Sequence, residues 1–499
     1  MHHQVIIAGS GISGLCALIQ LKRILNVTDV KVYEKGEELG GTWATNVYPG
    51  AKCDIPVALY SFSFCPAKEF DSQWPGSKEL LSYYKRVVST YDVESRVQYQ
   101  QLVSNVKFSR STGVWTITIL DLTTQEERVE TCNVFVSAVG ALSTPADPPF
   151  DTTNFDGKVM HTAGWDENYD LKGKKVVVLG NGCSAAQVVP AIIDQVESIT
   201  QIARSPHAIV PPPLIPDNAF TNTLIRYVPF LFPLVRHFVF SLCESYFPLN
   251  DTVKGKNGRD EIKKLSDRYI ERTAPEKYWP LLKYDFEFGQ KRRIIDFPGY
   301  TSTLHSPKVT LLQPDTIESA KAETVKTKNG VEIENVDLVI LSTGFKVTDY
   351  LFPLQIENNK GEKLVERLKL NGVKTYLSSM ISDYPNLWLL MGPNSVTGHS
   401  SVLYNTECTV NMMIELLKPV FSKLAHSTSD DDKPAPTVEV TAKAEDEWYG
   451  LMRAEMETKV WEADADLSWY VDEKIGKCTL HFKSSTENIV RDRFIWSGC

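Results

Sequence analysis

The chain has 499 residues, 42% of them hydrophobic and 23% charged, with a formal net charge of -9 and nine cysteines, none in a CxxC pair. Such a length and balance predict a globular chain of two or three domains, and the scattered thiols point away from a disulfide framework or zinc site and towards a reducing, intracellular, cytoplasmic setting. Lys and Arg form no long stripe, which excludes nucleic acid as the main partner and leaves a small molecule as the expected one.

The N-terminal run "QVIIAGSGISGLCALIQLKRI", followed by "VKVYEK", reads as strand, turn, helix and second strand, with no space ahead of it for a signal or transit sequence. Gly9, Gly11 and Gly14 have G-x-G-x-x-G spacing. Small residues there let the backbone turn tightly beside a pyrophosphate, whose charge rests on unpaired N–H groups at the helix N-terminus. Glu34, twenty residues past Gly14, stands where a carboxylate accepts hydrogen bonds from a ribose diol, so this unit suits FAD. Strand-like alternation follows over 103–136.

The unit then recurs as "KKVVVLGNGCSAAQVVPAII" and "ITQIARSP", with Gly180, Gly182 and Ala185 in the same spacing and Ser184 in the turn. Nineteen residues past Ala185 stands Arg204, followed by Ser205; an arginine there pairs with a 2'-phosphate, so the second unit suits NADPH. The predicted fold is α/β, with two Rossmann-like dinucleotide-binding domains, for FAD (1–145 and 347–499) and for NADPH (146–204 and 291–346). A Pro-rich, then helical and aromatic insertion, 205–290, is expected to line the substrate pocket. Its most apolar part, 228–248, is interrupted by Arg236, His237, Glu244 and prolines, and reads as a buried or pocket-lining helical pair rather than a span, so no membrane partner is expected. Strand-like runs return over 308–345, ending "VDLVILSTGF", and 422–437 reads as a surface loop.

Four stretches, "GGTWATNVYPGAKCD" (40–54), "FDGKVMHTAGWD" (155–166), "LSTGF" (341–345) and "GPNSVTGHSS" (392–401), together resemble the class B flavoprotein monooxygenases, through nearly the whole chain to "SWY" at 468–470. The second resembles the fingerprint F-x-G-x-x-x-H-T-x-x-W-[P/D] of the Baeyer-Villiger branch, filled by Phe155, Gly157, His161, Thr162, Trp165 and Asp166. The resemblance implies tightly held FAD, NADPH as reductant, and O2 activated as a flavin C4a-peroxide that places one oxygen atom beside the carbonyl of a ketone, expected to be hydrophobic. It implies that Gly41, Trp43 and Tyr48 line the flavin side, that Thr343, Gly344, Asn394, Gly398 and His399 contact cofactor, and that His161 couples the two domains. Glu407 is expected to be a satisfied or solvent-facing carboxylate.

In that family an arginine, oriented by the aspartate that matches Asp54, stabilises the negative oxygens. The segment expected to carry it, "GQKRRIIDFPGYTSTLHSPKV", has His305 and Ser306 at the matching place. His305 is therefore the expected weaker donor, and Lys291, Arg292, Arg293 and Lys308 are the nearby substitutes, with Lys291 also expected at the cofactor. The departure leaves hydroxylation or N/S-oxygenation open beside ketone oxidation, and behind them a non-oxygenating flavoprotein. A flavin disulfide reductase would need a cysteine pair, and Cys53 stands alone.

Overall fold

The computed structural model describes the chain apart from residues 71, 214–216, 229, 350, 396–397, 427–432, 463–470, 473–476, 479–493 and 497–499. The N-terminal run forms β1 (His2–Ala8) and α1 (Ile12–Leu25), followed by β2 (Val30–Tyr33), β3 (Val97–Gln98), β4 (Gln101–Ser109), β5 (Val114–Asp121) and β6 (Glu127–Ser137). From Val5 to Ala8 β1 is apolar and buried on both faces because it lies between two parallel neighbours, β2 and β6. α1 ends where Asn26 adopts a left-handed conformation and closes the last turn on Leu21 O. β4 and β5 form the alternating antiparallel pair expected over 103–136, whereas the last residues of β6 are buried on both faces where it joins β1.

The second unit contains β7 (Lys158–His161), β8 (Lys175–Leu179), α2 (Cys183–Ile192) and β9 (Ser198–Ile202). Helices α3 (Ala219–Tyr227), α4 (Leu231–Ser245) and α5 (Lys256–Thr273) follow, then β10 (Val309–Leu312) and β11 (Leu338–Leu341). β12 (Gln355–Glu357), β13 (Leu387–Leu389) and α6 (Val402–His426) return to the first unit. Two sheets result. The larger has order β12-β4-β5-β6-β1-β2-β3, with β13 also on β6, and the smaller is fully parallel with order β10-β9-β8-β11-β7. In each sheet a glycine turn, G-x-G-x-x-G in the first unit and G-x-G-x-x-A in the second, leaves the carboxyl end of an interior strand, β1 or β8, and opens a helix.

The 155–166 stretch is explained by packing at the edge of the smaller sheet. Phe155 fills a core cluster, the backbone at Gly157 passes under its ring and beside Val336 O, and His161 ends β7 and caps a short 3-10 turn by accepting from Ala163 N at 3.0 Å. Trp165 packs against the core of the second unit, and Asp166 is ion-paired with Lys158.

The insertion differs from expectation. Of 205–290, only Ser205 and His207 among the described residues line the large cavity. α3 and α4 instead lie on the first unit, whose core takes in Phe232 and Val239. Arg236 anchors them by donating to Ala58 O (3.0 Å), Ser61 O (2.7 Å) and the Glu407 carboxylate (3.0 Å). Glu407 also accepts from Ser63 N and Oγ, so it is the satisfied carboxylate expected. Among the described residues no single helix is long and apolar enough to cross a membrane; Ala219–Tyr227 and Leu231–Asn250 reach that length and hydropathy only jointly, across a 116° bend. The loop expected from 422 begins later, because α6 continues to His426 with Leu424 packed on the core; residues 427–432 and the "SWY" at 468–470 lie outside the described residues.

Candidate active site

The carboxyl ends of β1 and β8 open into one cavity of about 1090 Å³. Both glycine turns line it, Gly9 and Gly11 from the first unit and Gly180, Gly182 and Ser184 from the second. Gly9 has φ +102° and Gly180 φ +110°, and a Cβ on either would stand 2.5 Å from a backbone carbonyl, Ala138 O or Ser342 O. Only glycine permits both the conformation and the contact. Gly14 and Ala185 do not reach the cavity; both are buried where helix packs on strand.

At the β2 end Glu34 is 8% exposed, and its carboxylate accepts from Ser10 N (2.7 Å), Ser10 Oγ (2.9 Å) and Gly36 N (2.8 Å). At the β9 end the charge is reversed. Arg204 and Ser205 line the cavity beside Lys291, whose Nζ donates to Ser205 Oγ at 2.7 Å and lies 4.7 Å from the Phe286 ring centroid. His207, which the sequence reading passed over, joins this group. Its Nδ1 is 3.4 Å from Arg292 O, and burial together with the positive charges of Lys291 and Arg204 pushes its pKa down to about 4. The imidazole is therefore neutral at neutral pH.

Between the two ends stands the wall formed by 41–54, with Gly41, Trp43, Tyr48, Cys53 and Asp54 on the cavity. Trp43 is set edge-on to Tyr60 and donates its Nε1–H to the Tyr60 hydroxyl at 3.1 Å. Asp54 Oδ2 accepts from Arg292 Nη2 at 2.7 Å. Burial pushes the Asp54 carboxyl up, but Arg292, with Arg293 behind it, overrides this and holds it below the ordinary value. Arg292 also lines the cavity, while Arg293 turns away to donate to Gly398 O at 2.8 Å.

The guanidinium beside Asp54 is thus Arg292, one of the four substitutes, and not a group at 305–306. His305 is exposed on the turn leading to β10 and lies off the cavity. Lys308 is also remote, its Nζ donating to Ile193 O and Val196 O. The linear spacing misplaced the cation because the segment turns into the second unit's core at Tyr300 and Leu304.

The other sequence-picked residues divide in the same way. Thr343, Gly344 and Gly398 line the cavity. Asn394 does not: its φ is +64° and its amide donates to Val373 O at 3.1 Å, so it shapes a turn. His399 points to Glu244 (3.4 Å) and the Phe247 ring (5.0 Å). His161 sits behind the cavity wall, edge-on to Phe345 at 5.7 Å, with its pKa lowered by burial. Among the described residues no cluster of His, Cys, Asp and Glu could hold a metal.

Residues 7–69 match the NAD(P)-binding Rossmann-like domain family, and residues 64–225 match the L-lysine 6-monooxygenase/L-ornithine 5-monooxygenase family. A Baeyer-Villiger monooxygenase of Pseudomonas aeruginosa is 30% identical over 96% of this chain and 87% of its own length. The FAD-binding monooxygenase ktnD of Aspergillus niger is 29% identical over 88% of this chain and 72% of its own length. A steroid monooxygenase solved with NADP shares the fold, with a TM-score of 0.80 at 23% identity, over 97% of this chain and 95% of that one. Fold, cavity and relatives together define an FAD- and NADPH-dependent oxidoreductase of the monooxygenase class. Within that class the chain belongs to the Baeyer-Villiger monooxygenase family.

Proposed function

We propose that the protein inserts an oxygen atom beside the carbonyl of a hydrophobic ketone, giving an ester or lactone, and that Arg292 held by Asp54 is the cation of the reaction. The observation carrying this reading is the 2.7 Å pair itself, set in the cavity wall between the two glycine turns. Bound FAD, reduced by NADPH, supplies the electrons that divide O2 between the product and water. The chain does the rest. Arg292 offers fixed N–H donors to the oxygens that become negative as the carbonyl is attacked, and a preorganised donor of this kind contributes about 3–4 kcal/mol. Asp54 keeps the guanidinium from swinging, and because its carboxyl is held below the ordinary value it stays an anion as the charge develops.

The larger sheet with 1–145 and 347–499 is proposed as the FAD domain and the smaller sheet with 146–204 and 291–346 as the NADPH domain. In this reading Glu34 takes the FAD ribose, while Arg204 and Lys291 take the 2'-phosphate. Three buried hydroxyls on the cavity, Ser342 Oγ, Thr343 Oγ1 and Ser400 Oγ, have no partner among the described residues, and a Cβ on Gly182 would meet none of their atoms within 4 Å. Unpartnered donors and an open glycine turn fit a polar, phosphate-bearing occupant. His161, behind Phe345 and without a carboxylate partner among the described residues, is read as coupling the units rather than moving protons.

The test is to supply the FAD-loaded protein with NADPH, 18O2 and a panel of cyclic and aryl ketones, sulfides and amines. The expected product is an ester or lactone carrying one 18O, formed once per NADPH. Sulfoxides or N-oxides in place of esters would replace ketone oxidation with heteroatom oxygenation.

A further inference from the structure

The loop that carries Asp54 belongs to the first unit but lies on the helix of the second, and one side chain makes most of the polar contact. Gln187, on α2, is 7% exposed. Its Oε1 accepts from the Tyr48 hydroxyl at 2.7 Å and faces Lys52 N at 3.4 Å, while its Nε2 donates to Lys52 O at 3.0 Å. The carboxamide thus pairs with both the backbone N–H and the C=O of one residue, as a neighbouring strand would, and takes a phenol as well. Tyr48 adds a weaker contact to Ser184 Oγ at 3.3 Å.

The backbone confirms how close the approach is. Gly50 has φ +83°, and a Cβ there would stand 2.5 Å from Gln187 O. From its other side the loop is tied to the first unit by Cys53 N donating to Pro75 O and Ser77 N to Ala51 O, both at 3.0 Å. Asp54 comes two residues after Lys52 and meets Arg292 at 2.7 Å. A shift of α2 relative to the first unit therefore reaches Asp54 through the Lys52 peptide.

We propose that Gln187 is a positioning residue for oxygen transfer: it registers the Asp54 loop against the helix that opens the second glycine turn, so that a dinucleotide at that turn sets the Asp54–Arg292 pair. The inference rests on the reading of α2 as the NADPH helix and of Asp54–Arg292 as the reacting pair. Buried hydrogen bonds that span two units couple them only while both partners are present.

The experiment is hydrogen–deuterium exchange of the FAD-loaded protein with and without NADP+, followed in the peptides covering 180–187 and 48–54, in wild type, Gln187→Leu and Gln187→Glu. In wild type NADP+ is expected to slow exchange in both peptides. In Gln187→Leu, 180–187 remains protected while 48–54 exchanges about five-fold faster than in wild type, the loss of roughly one net hydrogen bond. Gln187→Glu keeps the acceptor for Tyr48 but loses the donor to Lys52 O, and is expected to restore part of the protection. Should Gln187→Leu not fold, Tyr48→Phe removes the 2.7 Å bond to Gln187 and the weaker Ser184 contact while leaving both Lys52 contacts, and is expected to loosen 48–54 in the same direction. Equal NADP+ protection of 48–54 in wild type and in the folded variant would overturn the role of Gln187. Absence of NADP+ protection at 180–187 in wild type would instead overturn the assignment of α2 as the NADPH helix, so the two failures are distinguishable.

Discussion

The two glycine turns are near copies in backbone and opposites in charge. Gly9 and Gly180 share a positive φ and the same 2.5 Å approach to a carbonyl on the adjoining segment. Just past the next strand stands Glu34, with three donors around its carboxylate, in one unit, and Arg204 and Ser205, joined through space by Lys291, in the other. In the proposed assignment, glycine fixes the shape that would receive a pyrophosphate, while the residue at the end of the following strand would decide which dinucleotide is accepted.

The comparison can be broken most strongly at the glycines. An alanine at either position meets a backbone carbonyl and an unfavourable φ, together costing about 3 kcal/mol. Gly9→Ala is expected to yield protein without FAD, and Gly180→Ala protein that keeps its FAD but is no longer reduced by NADPH; flavin absorbance after desalting, then anaerobic NADPH addition, separates the two. A smaller effect is expected from the cationic end. If Arg204 and Lys291 take the 2'-phosphate as proposed, losing either hydrogen bond costs about 1.5–3 kcal/mol, so each alanine variant should weaken NADP+ roughly 10- to 100-fold while leaving NAD+ binding nearly unchanged, as titration calorimetry would show.

A further effect is expected on stability against pH. The folded His207 has its pKa lowered to about 4 by burial and by the charges of Lys291 and Arg204, against an ordinary 6.5. Between those values the unfolded chain binds the proton and the folded one does not, so this contribution is intact above pH 6.5 and is lost as pH falls towards 4. The Asp54 carboxyl, also held below its ordinary value, adds a loss of the same sign at lower pH. Thermal melts of His207→Asn should show a flatter decline than wild type between pH 6.5 and 4.

What was legible in the sequence follows from the range of the interactions. The strand-turn-helix units and the acidic or basic strand ends are local, and Gly9, Gly11, Glu34, Gly180, Gly182 and Arg204 all line the cavity. Arg292 meets Asp54 across 238 residues, a pairing that no spacing encodes. Reading along the chain therefore set His305 in its place, although residues 300–304 turn into the second core and leave His305 outside. The aromatic insertion looked like a pocket lining because composition gives no direction; Phe232 and Val239 face the first core instead. Gln187 carried no signal at all, being one more polar residue in a helix until the Tyr48 loop is laid on it.

The most direct measurement is the coupling of NADPH oxidation to ketone oxygenation in Arg292→Ala, with FAD content and the anaerobic rate of reduction by NADPH measured in parallel. If Arg292 stabilises the oxygens of the reaction, FAD and reduction survive, product formation falls about 10²- to 10³-fold, and the oxygen consumed appears as hydrogen peroxide. Ester or lactone formed once per NADPH in Arg292→Ala, as in wild type, would contradict the assignment.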